Sequence, residues 1–174
     1  LFEAFASRNQ LNDYKKYMHN LGLEMVEISD GSINIEHEKK CEIISDFSKN
    51  FRIVSEIGSK ESNVEINSSK WIEYMRNELN AGSWKVITEA RESGNVGIFD
   101  ENGKIKEKLI DDIMRQINIG DILWEAPKKN QQVWLINKFG ANVNLGNIAH
   151  NEIIPLECLR LGLRADTFHN SLNK

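Results

Sequence analysis

Short β-rich runs alternate with longer stretches of helical periodicity along the chain, and this alternation points to repeated βα units around a parallel sheet. Leu11, Tyr14, Met18 and Leu21 share one helical face, which Gly22 ends. The runs at 25–29, 52–57, 84–89, 122–125 and 142–145 are predicted strands. Helical stripes separate them, through Cys41, Ile44 and Phe47, then Ile72, Met75 and Leu79, then Leu109, Ile113 and Ile117, then Val133, Ile136 and Phe139. A closing helix is predicted through Ile153, Leu156, Leu159 and Leu163. Residues 1–3 read as the tail of a sixth strand already in progress, which predicts a chain that starts inside its fold. The segment 93–103, rich in Gly, Asn and Asp, has the composition of a functional loop.

Six parallel strands make either an open doubly wound sheet or three-quarters of a closed barrel, and periodicity alone does not separate them. A strand covered by helices on both faces is nearly all apolar. Here Glu27 and Ser29 share one strand face, and Lys85, Ile87, Glu89 and Arg91 share another. Polar residues facing inward toward a C-terminal mouth favour a barrel, whose chemistry sits at that rim.

Five predicted strands end in glutamate: Glu3, Glu27, Glu56, Glu89 and Glu125. Converging carboxylates repel, so they need cations, protonation or hydrogen bonds. Lys60, Lys85 and Arg91 lie near the strand ends or on the inward face, too few to balance them. A divalent ion would help, and Mg²⁺ suits hard oxygen ligands. Taken singly, each glutamate could equally be a salt-bridge or helix-terminus partner. Lys85 could equally be a structural ion-pair member deep in the barrel.

The bulk numbers exclude some partners. The 174 residues carry a net charge of −4, which gives no global attraction to nucleic acid or to an anionic membrane. Without a Pro/Ser linker or low-complexity tract, residues 1–174 are read as a single domain. No apolar run has the length of a membrane span and no signal-peptide plan opens the chain, so cytoplasm is expected. Cys41 and Cys158 lack metal-ligand spacing and read as buried thiols. The four histidines show no ligand or triad spacing and read as surface or packing residues.

Taken in order, the strand-end motifs are Glu27-Ile-Ser-Asp-Gly-Ser-Ile33, Ser55-Glu-Ile-Gly-Ser-Lys60, Glu89-Ala-Arg-Glu-Ser-Gly94, Glu125-Ala-Pro127, Gln131-Gln132, Val143-Asn-Leu-Gly-Asn-Ile148 and Leu159-Arg-Leu-Gly-Leu-Arg164. The set resembles the phosphosulfolactate synthase family over essentially the whole chain. The resemblance implies an α/β fold of the (β/α)₈ TIM-barrel type, here strands three to eight without the first two. It also implies Mg²⁺-dependent addition of sulfite to phosphoenolpyruvate, giving (2R)-phospho-3-sulfolactate. In that family the product leads to coenzyme M or to sulfolactate, and the assembly is a homotrimer. A barrel lacking two strands would leave sheet edges unpaired and prone to association.

On this resemblance Lys60 is the expected general acid. Arg91 is the expected anion clamp, since its planar fork matches phosphate or carboxylate oxygens; it could also pair with Glu89 or Glu56. Glu56 and Glu89 are the favoured carboxylates for catalysis and metal, with Glu27 next. Ser93 and Gly94 are expected to offer hydroxyl and backbone donors. Asn144, Gly146, Asn147 and Arg164 are the substrate-binding candidates around and after the last strand, where barrels often hold phosphate. Arg160 and Arg164 could equally make subunit contacts. Two other readings stand beside this one: a non-catalytic barrel serving in stress protection or assembly, and another enolate-forming barrel enzyme such as an aldolase.

Overall fold

The computed structural model describes residues 1–58 and 67–172. Within them five parallel strands form one sheet: β1 (Met25–Ile28), β2 (Arg52–Ile57), β3 (Ser83–Thr88), β4 (Ile122–Glu125) and β5 (Leu145–Gly146). Their order across the sheet is their order along the chain. A doubly wound sheet reverses its order at a switch point. Here each strand is laid beside the one before it, the winding of a (β/α)₈ barrel. The fold is α/β, and the sheet is that of a partial barrel.

Helices fill the crossovers: α3 (His37–Phe47), α4 (Ser68–Ala81), α5 (Glu107–Met114) and α6 (Lys129–Phe139), with α7 (Ile153–Arg160) and α8 (Ala165–Leu172) after β5. Two more, α1 (Phe2–Ala6) and α2 (Leu11–Asn20), precede β1. The start of α4 shows how local sequence sets a boundary. The Asn67 side chain accepts the Lys70 N–H at 2.8 Å, and Gly82 closes the helix at φ 119°, where a side chain would be strained.

Residues in register across a parallel sheet share a face. The pairs Ile28↔Ser55, Ser55↔Val86 and Val86↔Ile122 therefore define a helix-facing side. Glu27↔Val54, Glu56↔Ile87 and Ile87↔Leu123 define the opposite side, the one that lines a barrel's interior. The helix-facing side carries most of the apolar burial. Ile57, Val86, Ile122 and Trp124 join Met75, Ile110, Ile113 and Leu135 in the larger core cluster. Each fully buried aliphatic side chain there contributes roughly 1.5–3 kcal/mol. A second cluster gathers Phe2, Tyr14, Val26, Ile44 and Phe47 at the β1 end of the sheet.

Several expectations need correction. The described residues hold five strands rather than six, because residues 1–3 are not extended. These residues enter α1 instead, where Phe2 packs edge-on against Tyr14 at 5.8 Å and Phe47 at 6.4 Å. The strand placed at 142–145 reduces to Leu145–Gly146, since the Val143 N–H turns back to Gly140 O at 3.2 Å. The closing helix stops at Arg160, leaving Leu163 exposed, and α8 was not foreseen. Cys41 and Cys158 are free thiols but only half-buried. No helix among the described residues is long and apolar enough to cross a membrane.

Candidate active site at the strand ends

Thr88 pairs with Trp124, so the next residues, Glu89 and Glu125, leave adjacent strand ends on the inward face. Each carboxylate is held by a main-chain donor. Glu89 Oε1 accepts Arg91 N–H at 2.7 Å, and Glu125 Oε2 accepts Ala90 N–H at 2.8 Å. Asn147 Nδ2 reaches the same Glu125 oxygen at 3.4 Å. Glu89 is buried at 2% exposure, and its Oε2 has no hydrogen-bond partner among the described residues. Burial first, and then the nearby charges of Glu89 and Glu27, push the Glu125 carboxyl above its usual range. Glu89 and Glu125 thus stand side by side at adjacent strand ends.

The backbone is shaped to this arrangement. Gly97, at φ 63°, lies so close beneath Glu89 that a Cβ would stand 1.8 Å from the Glu89 carbonyl oxygen. Arg91 and Asn147, beside the two glutamates, adopt φ 56° and φ 55° although neither is glycine. Downstream, buried Gln131 donates to Gly94 O at 2.8 Å and Gly103 O at 3.3 Å while accepting Lys128 N–H at 3.1 Å. One side chain at the start of α6 thus ties both ends of the 94–103 loop.

The other nominated residues fall as follows. Glu56 is buried at the end of β2. Glu27 is exposed. Arg91 is exposed, and its guanidinium makes no hydrogen bond or ion pair among the described residues; its link to Glu89 runs through its main chain. Exposed Ser93 hydrogen-bonds Asn95 Oδ1. Both main-chain groups of Gly94 are engaged inside the protein, its N–H with Arg91 O and its carbonyl with Gln131. Asn144 turns its amide to Ile122 O at 3.0 Å and Gly120 O at 3.3 Å, at the start of β4 and away from the rim. Gly146 N-terminally precedes Asn147 and accepts Ala126 N–H at 3.0 Å, at the rim. Arg164 is exposed before α8; Arg160, four residues earlier, bonds Ala141 O ahead of β5. Lys85 bonds Gly120 O and sits 4.4 Å from the Trp84 ring centroid, also away from the rim. Lys60 lies outside the described residues.

The sequence model of the (2R)-phospho-3-sulfolactate synthase (ComA) family matches residues 1–166. The chain belongs to this family. Among its relatives, the phosphosulfolactate synthase of Bacillus subtilis (strain 168) is 43% identical over 171 residues, covering 97% of this chain and 68% of that protein. That of Methanocaldococcus jannaschii is 41% identical over 172 residues, covering 97% and 68%. That of Methanothermobacter thermautotrophicus is 40% identical over 171 residues, covering 96% and 66%. The chain therefore spans about two thirds of the length of these curated relatives.

The donor chemistry at the rim is that of hard oxygen ligands: a Glu125 carboxyl raised by burial and by neighbouring carboxylates, and a buried Glu89 oxygen without a hydrogen-bond partner among the described residues. Among the described residues, however, no three His, Cys, Asp or Glu side chains cluster closely enough to hold an ion by themselves. A hard divalent cation would find at most one or two carboxylates here, with water completing its shell. Glu89 and Glu125 are the two carboxylates that adjacent strand ends bring together. The sequence signal for Glu125 is its position as a strand-end glutamate.

A second polar cluster lies behind β1 and β2. A cavity of about 580 Å³ there is lined by Asp30, His37, Lys40, Glu56, Tyr74 and Glu78, among others. Its back wall is a buried Lys40–Glu78 pair at 2.9 Å. His37 stacks on Tyr74 with ring centroids 3.8 Å apart. Burial, and then the charge of Lys40, hold that imidazole below its usual pKa. The signal was Lys40 on the stripe of Ile44 and Phe47, where an apolar residue would be expected.

Proposed function

We propose that this chain carries the site of a phosphosulfolactate synthase, which adds sulfite to phosphoenolpyruvate to give (2R)-phospho-3-sulfolactate. The observation that carries the reading is the Glu89–Glu125 pair, fixed by consecutive main-chain donors on the inward rim of a parallel sheet whose family is known. Both reactants are anions, and the rim is acidic, so local cations must bring them together. Arg91, exposed beside Glu89 with its guanidinium uncommitted among the described residues, is the clamp for phosphate or carboxylate oxygens.

In the reaction sulfur attacks the methylene carbon, a C–S bond forms, and the electron pair of the double bond moves onto the carboxylate. A proton then reaches C2 and the phosphate stays in place. Lys60 is the residue proposed to deliver that proton. Glu56 and Glu89, with Glu27 and Glu125 beside them, present the carboxylate field that holds Mg²⁺. When bound, that ion supplies charge neutralisation at the substrate carboxylate, where negative charge grows in the transition state. Asn147 and Gly146 at the rim, and the Ser93 hydroxyl, complete the substrate contacts. Asn144, turned toward the start of β4, supports the fold around that site, and the exposed Arg164 is a further anion contact. The same reading places the protein in the cytoplasm as a homo-oligomer, a trimer by family, feeding sulfolactate or coenzyme M formation.

The test uses the chain extended to its relatives' full length. Phosphorus NMR should show phosphoenolpyruvate converted to a new phosphate ester only when sulfite and Mg²⁺ are both present. Arg91→Lys should raise KM for phosphoenolpyruvate by about tenfold, because a point charge replaces a planar fork. A protein that binds neither reactant ends this reading.

A further inference from the structure

The buried ammonium of Lys40 is not free to meet a ligand. It donates to Asp30 Oδ1 at 2.9 Å, lies 2.9 Å from Glu78 Oε1, and donates to the main-chain oxygen of Glu56 at 2.5 Å. An ammonium has three N–H donors, and these three partners use them all. Lys40 is 2% exposed and Glu78 is 1% exposed. Opposed by burial but outweighed by Glu78 and Asp30, its pKa stands above the usual lysine range, so it stays charged.

The third contact explains why a lysine stands here. In the β1–β2 ladder the last pair is Ile28↔Ser55. Arg52 N–H donates to Glu24 O on the β1 side at 2.8 Å, whereas Ile57 O accepts Glu89 N–H on the β3 side at 3.0 Å. Main-chain groups alternate sides along a strand, so the Glu56 carbonyl faces the β1 side one step beyond the last pair. β1 has already turned away into the Asp30 loop, and Lys40 supplies the donor that the ladder no longer gives.

We infer that Lys40 is a positioning residue, its ammonium locking the Glu56 main chain at the end of β2 and the Asp30 loop at the end of β1 in one fixed relation. This rests on the reading of those strand ends as the sulfite-adding site. A charge in this position costs desolvation that an apolar residue would avoid, so counter-charge for Glu78 alone is a poor reason for it. Glu56 carries its carboxylate on the same short segment, and its direction follows from where its main chain is held. Lys40 itself touches no substrate.

Two variants of the full-length protein separate positioning from simple charge balance. Lys40→Met strands Glu78 and should lower both melting temperature and kcat. Lys40→Met combined with Glu78→Leu removes both charges, and such replacements preserve or raise stability. In the double variant the melting temperature should recover most of the loss, the Glu56 carbonyl still lacking its donor, while kcat stays down by about tenfold, with KM for phosphoenolpyruvate changed much less. Amide exchange at Ile57 and Gly58 should also remain faster than in wild type. Recovery of kcat together with stability, or wild-type exchange at those amides, overturns the proposal. Should the wild-type protein itself fail to turn over, the functional reading falls, and the exchange measurement on the double variant still decides the role of Lys40.

Discussion

The main-chain N–H of Ala90 donates to Glu125 Oε2 at 2.8 Å, so the residue following Glu89 on one strand end holds the glutamate of the next. With Arg91 N–H closing on Glu89 Oε1 at 2.7 Å, two successive amides fix two carboxylates. The acidic rim is held by backbone, which does not reorganise as a long cationic side chain would. A substrate or ion arriving there meets acceptors already in place.

Glu125 should leave a pH signature in stability. Its folded pKa is raised by burial and by Glu89 and Glu27. Between the ordinary carboxylate range and the raised value, the folded protein binds more protons than the unfolded chain, so stability falls as pH rises through that window. Glu125→Gln keeps an acceptor for Ala90 but cannot ionise. Denaturation curves across pH should show wild type losing ground to this variant as pH rises, then a constant difference above the window. A difference that is flat throughout, or that favours wild type with rising pH, contradicts the assignment.

Gly97 supports Glu89 directly. An added Cβ would lie 1.8 Å from the Glu89 carbonyl oxygen, a backbone atom with nowhere to retreat. Gly97→Ala should cost more than about 3 kcal/mol, since strain at positive φ is joined by a core clash. Gly22, at φ 68° with nothing within 4 Å of its added Cβ, is the control. Gly22→Ala should cost about 1 kcal/mol, the penalty of the left-handed conformation alone. Urea titration of both measures the contrast, and equal losses would remove Gly97 from the support of the site.

Gln131 should act at a distance through the loop it ties. Gln131→Leu leaves the buried carbonyls of Gly94 and Gly103 without their amide donor. The loss should be about 2–3 kcal/mol, with faster amide exchange over 94–103. Exchange confined to the start of α6 would mean that the loop is held by other contacts.

Much of the topology was readable because it is written in local periodicity. β2 and β4 have the bounds that alternation and turn residues implied, at Arg52–Ile57 and Ile122–Glu125. The stripes through Ile72 and Met75, Leu109 and Ile113, and Ile136 lie on buried helix faces. What failed was set by neighbours. Residues 1–3 have strand-like composition, but Phe2 makes its aromatic contacts from a helix, a packing relation that local composition does not carry. At the site, the recurrence of glutamate at strand ends pointed to Glu89 and Glu125. Asn144, adjacent in sequence to a rim motif, turns its amide toward the other end because side chains alternate along a strand.

The sequence by itself determined a parallel βα architecture, its acidic strand ends and, through ordered motifs, the family; each of these resides in short-range pattern or in residue identity. Only the tertiary structure decided which carboxylates meet, that main-chain amides rather than arginine side chains hold Glu89 and Glu125, and that Lys40 replaces a missing ladder bond at Glu56. Those relations join residues far apart in the chain, and their energies depend on distances of a few ångströms that periodicity does not encode.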